Sequence, residues 1–107
     1  MKIKINKKAN QQVTVTPYNK IDFTNCHKLE EALLKLLKQD YRTIIINCNK
    51  LSKIDSSGIQ KLVLAHKKIT QENGKLKITN VVHDKLKKTL SMIDLQEFIP
   101  LENKESA

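Results

Sequence analysis

Two adjacent serines, Ser56 and Ser57, lie in the run IDSSGI of residues 54–59, between an aspartate and a glycine. An extended apolar pattern precedes the run and apolar residues recur with helical spacing after it, so the run marks the start of a helix. Free backbone N–H groups and the helix dipole favour an anion at such a position. A phosphate on a serine hydroxyl would therefore be tolerated here.

The same run predicts how the helix is capped. Ser57 and Gln60 have the spacing of a capping box, which makes Ser57 the predicted N-cap. Asp55 is the alternative cap, and the isoleucines on either side of the turn would then form a hydrophobic staple. Either arrangement uses one residue and leaves Ser56 without a structural role.

A catalytic role for the serines has little support in the sequence. The chain has only two glycines, Gly58 and Gly74, so it contains no Gly-rich phosphate loop, and no G-x-S-x-G elbow surrounds either serine. A serine nucleophile needs a general base, but His27, His66 and His83 are scattered along the chain. We expect a protein that is not an enzyme.

The cysteines form no recognisable metal-binding or redox motif. Cys26 and Cys48 are separated in sequence without CxxC spacing or a nearby histidine pair. We expect buried free thiols, no metal site and no cofactor.

The net charge of +9 invites a nucleic-acid hypothesis, which the composition weakens. The cations are nineteen lysines and one arginine, Arg42, and the chain has two Phe, two Tyr and no Trp. Base readout uses the bidentate guanidinium, and single-strand binding uses aromatic stacking, so we expect no specific nucleic-acid binding. Lysines on solvent-exposed faces explain most of the charge, and the sequence leaves open whether the protein binds an acidic partner.

The chain is one domain long and has no apolar run that could span a membrane. Its start, MKIKINKK, alternates instead of forming a signal peptide, so the sequence predicts a cytoplasmic protein. We expect a domain over residues 1–102, a flexible tail over residues 103–107, and a monomer or weak dimer.

Apolar periodicity predicts an α/β fold, with one small mixed sheet of about four to five strands backed by three or more helices. Residues 43–48 form a continuous β-branched run, which is typical of a central strand buried on both faces. The predicted order starts with a hairpin of residues 2–6 and 13–16 and a helix that is capped by Thr24 or Asn25 and ends near Lys38. The strand at 43–48 and the helix after Ser57 follow. The last predicted elements are a strand at 75–79 and a helix at 84–92.

The run of residues 54–59 resembles the phosphorylation-site signature of the STAS domain, as in bacterial anti-sigma factor antagonists. The element order is similar to that family's over nearly the whole chain. Where STAS domains commonly carry glycine before the first helix, this sequence has Asn19, and asparagine is the best non-glycine candidate for a positive φ.

The resemblance implies that Ser56 is the phosphoacceptor. In that family the unphosphorylated antagonist binds a GHKL-type serine kinase that is also the anti-sigma factor, which releases sigma factor, and a PP2C-type phosphatase reverses the modification. The alternative is a STAS subunit of a lipid-transport ABC complex or of a stressosome-like scaffold. The implied partner-binding surface comprises Asp22, Asp55, Ser56, Ser57, Gly58 and Lys61.

Overall fold

Seven strands and three helices make up the part of the chain that this computed structural model describes, which comprises residues 1–92, residue 99 and residues 101–102. The elements are β1 (Ile3–Lys7), β2 (Gln12–Pro17), β3 (Asn19–Ile21), α1 (Cys26–Lys38), β4 (Thr43–Asn47), β5 (Leu51–Ile54), α2 (Ser56–Gln71), β6 (Lys75–Thr79), α3 (Asp84–Met92) and β7 (Leu101–Glu102). The predicted tail, residues 103–107, lies outside the described residues.

The main sheet has five strands in the order β1-β2-β4-β6-β7. The first pair is the predicted antiparallel hairpin, and the remaining neighbours are parallel. A mixed sheet with three helices confirms the predicted α/β fold. The short strands β3 and β5 pair in parallel with each other, apart from the main sheet. The sequence did not predict β3 as a strand, because three residues are too few for a periodic pattern.

One face of the main sheet forms the core. Val13, Val15, Ile44 and Ile46 are each at most 1% exposed and belong to one apolar cluster with the helix leucines. The prediction that the strand at 43–48 is buried on both faces is wrong, because Ile45 points to the other face and is only partly buried. The β-branched run reflects a central position between β2 and β6, while side chains on the second face, such as Ile45, are partly exposed.

The predicted helical stripe of α1 packs as expected. Its buried residues include Leu29, Leu33, Leu36 and Leu37. Helix α1 contacts α2, α2 contacts β5 and β6, and α3 contacts β5. The buried side chains of all three helices belong to the same apolar cluster as those of the main sheet.

Candidate functional site

Helix α2 begins at Ser56, directly after the aspartate of the serine turn. Asp55 is the N-cap in an extended conformation, and its Oδ1 accepts a 2.9 Å hydrogen bond from the Gly58 N–H. The prediction of Ser57 as the cap is therefore wrong, because Ser57 already lies in the first helical turn. The alternative that the sequence left open, a cap by Asp55, is confirmed.

The second carboxylate oxygen of Asp55 reaches a distant part of the chain. Oδ2 accepts a 3.1 Å hydrogen bond from the backbone N–H of Phe23, 32 residues earlier. The Asp55 N–H donates to the Ile21 carbonyl at 3.0 Å, which fixes the turn against β3. One aspartate thus caps α2 and also ties its start to the loop that leads into α1.

The loop before α1 is closed by hydrogen bonds within itself. Asp22 accepts from the N–H of Thr24 at 3.0 Å and from its hydroxyl, and lies 3.5 Å from Lys20 Nζ. The pKa of the Asp22 carboxyl is lowered from its usual value, mainly because the carboxylate accepts a hydrogen bond from the Thr24 hydroxyl. Asn25 Oδ1 accepts from the Asp22 N–H at 2.9 Å, and Asn25 Nδ2 donates to the Lys20 carbonyl at 3.0 Å.

The entry into this loop has the backbone that the sequence indicated. Asn19 has a φ of 69°, which confirms the expected positive value at the position where the family commonly has glycine. Asn25 occupies the predicted N-cap position of α1, but its side chain makes no cap hydrogen bond. The Cys26 N–H is instead satisfied by the Asp22 carbonyl at 2.8 Å.

The two serine hydroxyls remain unused. Ser56 is exposed and Ser57 is partly buried, and neither hydroxyl has a hydrogen-bond partner among the residues that the structure describes. The first turn of α2 carries no acidic side chain. A phosphate on Ser56 would thus lie at the positive end of a 16-residue helix without breaking a side-chain hydrogen bond.

Gly58 has a packing role beneath the turn. A Cβ at this position would lie 2.6 Å from Ile54 Cγ1 and 2.7 Å from Ile21 Cγ2, which is too close for any side chain. The glycine lets the start of α2 lie directly on β3 and β5. Gly58 is buried, so its proposed contact with a partner stays a prediction.

The structure brings most of the predicted site residues together. The Asp55–Phe23 hydrogen bond places the loop of Asp22 beside Ser56 and Ser57. Lys61 lies one turn further along α2, where its Nζ is 3.3 Å from Glu30 Oε1 and links α2 to α1. Its role in partner binding stays a prediction.

Phe23 is a site residue that the sequence analysis missed. Its side chain is 74% exposed and its backbone is fixed by Asp55, so a large apolar ring stands beside the serine turn. The available signal was an isolated aromatic in a polar loop of a chain with few aromatics.

The remaining reactive side chains lie apart from this turn. Cys26 and Cys48 are buried free thiols, as expected, and burial raises the pKa of Cys48 to about 12. His66 is partly buried on α2, which lowers its pKa, and its Nε2 lies 3.4 Å from Thr70 Oγ1. Within residues 1–92, 99 and 101–102, we find no group of three potential metal ligands and no helix long and apolar enough to cross a membrane.

Comparison with known proteins gives a family and a fold. The model of the STAS domain family matches residues 3–107. No curated protein sequence matches the chain. A structure of a possible anti-sigma factor antagonist from Thermotoga maritima superposes with a TM-score of 0.84 at 18% identity, over 96% of this chain and 87% of that one.

Two further proteins have the same fold. The Bacillus anti-sigma factor antagonist SpoIIAA has been solved in two forms. The unphosphorylated form superposes with a TM-score of 0.74 at 16% identity, over 98% of this chain and 90% of that one. The phosphorylated form superposes with a TM-score of 0.72 at 16% identity, over 97% of this chain and 93% of that one. A sulfate transporter family protein from Wolinella succinogenes superposes with a TM-score of 0.77 at 14% identity, over 94% of this chain and 83% of that one. Identities this low establish a shared fold and no more.

Proposed function

This chain belongs to the STAS domain family, and on that premise we propose that it is an anti-sigma factor antagonist whose partner binding is switched by phosphorylation of Ser56. One observation carries the proposal. Asp55 supplies both the helix cap and the tether to Phe23, so the exposed Ser56 hydroxyl at the start of α2 has no structural task.

The physical effect of the modification would be electrostatic. A phosphoserine carries about −1.5 to −2 charges at neutral pH and three strong acceptor oxygens. The N–H groups of the first turn and the helix dipole would stabilise it within this chain. A partner surface docked over the turn would be repelled or left with an uncompensated charge, so phosphorylation would change binding without changing the fold.

The docking surface in this proposal is the serine turn with its neighbouring loop. The exposed ring of Phe23 would serve as an apolar anchor, because exposed aromatic side chains contribute strongly to interfaces. Asp22 and Lys61 would flank it with opposite charges. The partner is a GHKL-type serine kinase that is also an anti-sigma factor, and a PP2C-type phosphatase would restore the unmodified state.

The proposal assigns no catalysis to the chain itself. Neither serine is hydrogen-bonded to a histidine within the described residues, so no base is positioned to activate a hydroxyl. The likeness to SpoIIAA, which has been solved both with and without phosphate, supports a regulatory binding protein.

A second candidate is a STAS domain that serves a membrane transport complex or a scaffold. The structural similarity to a sulfate transporter family protein favours this alternative. It would use the same turn as a docking surface without phosphorylation. The two candidates differ in whether a negative charge at Ser56 controls binding.

Titration calorimetry against the GHKL-type serine kinase of the source organism tests the proposal. We expect Ser56→Ala to bind like the unsubstituted protein and Ser56→Asp to bind roughly tenfold or more weakly, as for a charge introduced into an interface. Ser91→Asp, on the exposed side of α3, is the matched control and should have no effect. Equal binding by Ser56→Asp would reject the switch, and no binding by the unsubstituted protein would favour the transport-complex alternative.

A further inference from the structure

The second face of the main sheet, opposite the core, carries a concave surface that does not include the serine turn. It has a volume of about 370 Å³ and is lined by residues of β1, β2 and the segment that ends β4. We call it the basic trough and define it by Lys4, Lys8 and Lys50 together with Asn6, Asn47 and Tyr18. The lysines of the trough are exposed.

Charge is distributed unevenly between the sheet and the rest of the molecule. Strands β1 to β6 contain no aspartate or glutamate, whereas the edge strand β7 contains Glu102. In residues 1–92 the acidic side chains lie in helices and connecting segments, at Asp22, Glu30, Glu31, Asp40, Asp55, Glu72 and Asp84. The ion pairs within the described residues involve Lys20, Arg42 and Lys61. Among the described residues, no carboxylate forms an ion pair with Lys4, Lys8 or Lys50.

The spacing of the cations suits an extended chain. Lys4, Asn6 and Lys8 alternate along and just beyond β1 and face the same side, so the two lysines are about 13 Å apart. An extended polypeptide with an acid at every second residue presents a carboxylate about every 7 Å on one side. Thr14, Thr16 and the two asparagines add neutral hydrogen-bonding groups between the lysines.

We propose that the basic trough binds an extended acidic segment of a partner protein. Charge complementarity carries this inference. The described lining of the trough has three lysines and no carboxylate, none of the three lysines forms an ion pair with a described residue, and hydroxyl and amide groups accompany them. The trough lies on the sheet face opposite the core, whereas α2 packs on the core side. Binding there is independent of the state of Ser56.

A nucleic acid fits the trough less well. Tyr18 is the aromatic residue of its lining, and Lys2 Nζ already lies 4.5 Å from the centre of that ring. Arg42, the single arginine, lies elsewhere and is paired with Asp40 at 3.0 Å. The trough thus offers point charges without the guanidinium forks and free stacking surfaces that nucleic-acid sites use.

The test uses a fluorescein-labelled peptide of five Glu-Thr repeats as the probe, with the full-length protein at physiological salt. One variant combines Lys4→Gln, Lys8→Gln and Lys50→Gln. The matched control, with the same loss of charge from exposed helix positions, combines Lys28→Gln, Lys67→Gln and Lys87→Gln. By fluorescence anisotropy we expect the trough variant to bind the peptide about tenfold more weakly than the unsubstituted protein. The control variant should lose less than about twofold in affinity.

Two further measurements locate the site and identify the class of ligand. Amide NMR shifts on adding the peptide to the unsubstituted protein should move Asn6, Thr14 and Asn47, and Ser56→Asp should bind the peptide unchanged. Equal losses in the two triple variants, or shifts centred on the start of α2, would overturn the proposal. Tighter binding of a labelled oligothymidylate of equal charge, with the same lysine dependence, would also overturn it and assign the face to nucleic acid.

Discussion

The starts of α1 and α2 use similar residues in opposite ways. At each start an aspartate is followed by hydroxyl or amide side chains. Asp22 to Asn25 lie before α1, whereas Asp55 precedes α2 and the two serines form its first turn. Before α1 the polar side chains bind one another and their own backbone. At α2 the aspartate alone makes the hydrogen bonds, one to its own helix and one to the other loop, and both serine hydroxyls stay free.

Under the proposed switch, this difference favours Ser56 over Thr24 as the hydroxyl that is phosphorylated. A phosphate on Thr24 would replace the hydroxyl hydrogen bond to Asp22 and add repulsion between two anions. A phosphate on Ser56 would break no side-chain hydrogen bond and would face the free N–H groups of α2. Asp55, which holds the turn, is thus a different residue from Ser56, which we propose is modified.

Gly58→Ala should have the largest effect on the start of α2. The new methyl would fall within 2.7 Å of both Ile54 and Ile21, and overpacking of this kind costs about 1 to 3 kcal/mol. Chemical denaturation measures the free energy of unfolding, and Gln60→Ala, on the exposed side of the same helix, is the control. If both variants lose less than about 0.5 kcal/mol, the close approach of α2 to β3 and β5 is wrong.

Asp55→Ala should come next, with a loss of about 0.5 to 2 kcal/mol in the same measurement, because it removes the cap and the bond to Phe23. Asp55→Asn keeps one acceptor oxygen and should lose less. Asp22→Ala removes side-chain contacts only within its own loop, so its effect should be smaller than that of Asp55→Ala. The reverse order would contradict the contrast between the two helix starts.

The serine variants should have the smallest effects on stability. Ser56→Ala and Ser57→Ala remove hydroxyls without hydrogen-bond partners in the described part of the chain, so each should change the unfolding free energy by less than about 0.5 kcal/mol. A capping serine would cost about 0.5 to 2 kcal/mol. A loss in that range for Ser57→Ala alone would show that Ser57, the cap predicted from the sequence, is the N-cap of α2.

Local patterns were enough to predict most of the fold. The alternation of the hairpin, the leucine stripe of α1 and the break at the serine turn each arise from neighbouring residues, and each is present in the structure. The positive φ of Asn19 was equally predictable, since few residues other than glycine adopt it. These features depend on backbone preferences and periodic burial, which a single sequence records.

The missed features depend on contacts between distant segments. Both Asp55 and Ser57 satisfy cap spacing, and the choice follows from the 32-residue bridge to Phe23 and the packing of Gly58 on Ile21. The partial exposure of Ile45 follows from helices that cover one sheet face, which the β-branched run does not reveal. The exposed ring of Phe23 depends on the same loop position and left no periodic signal.

Mass spectrometry after incubation with the GHKL-type serine kinase and ATP tests the central claim most directly. Our account predicts one phosphate on Ser56 and none on Ser57, because Ser56 is exposed and Ser57 is partly buried while Asp55 holds the turn. The phosphorylated protein should melt within about 2 °C of the unmodified one, since the modification breaks no side-chain hydrogen bond. Phosphate found only on Ser57, or on neither serine, would contradict the account.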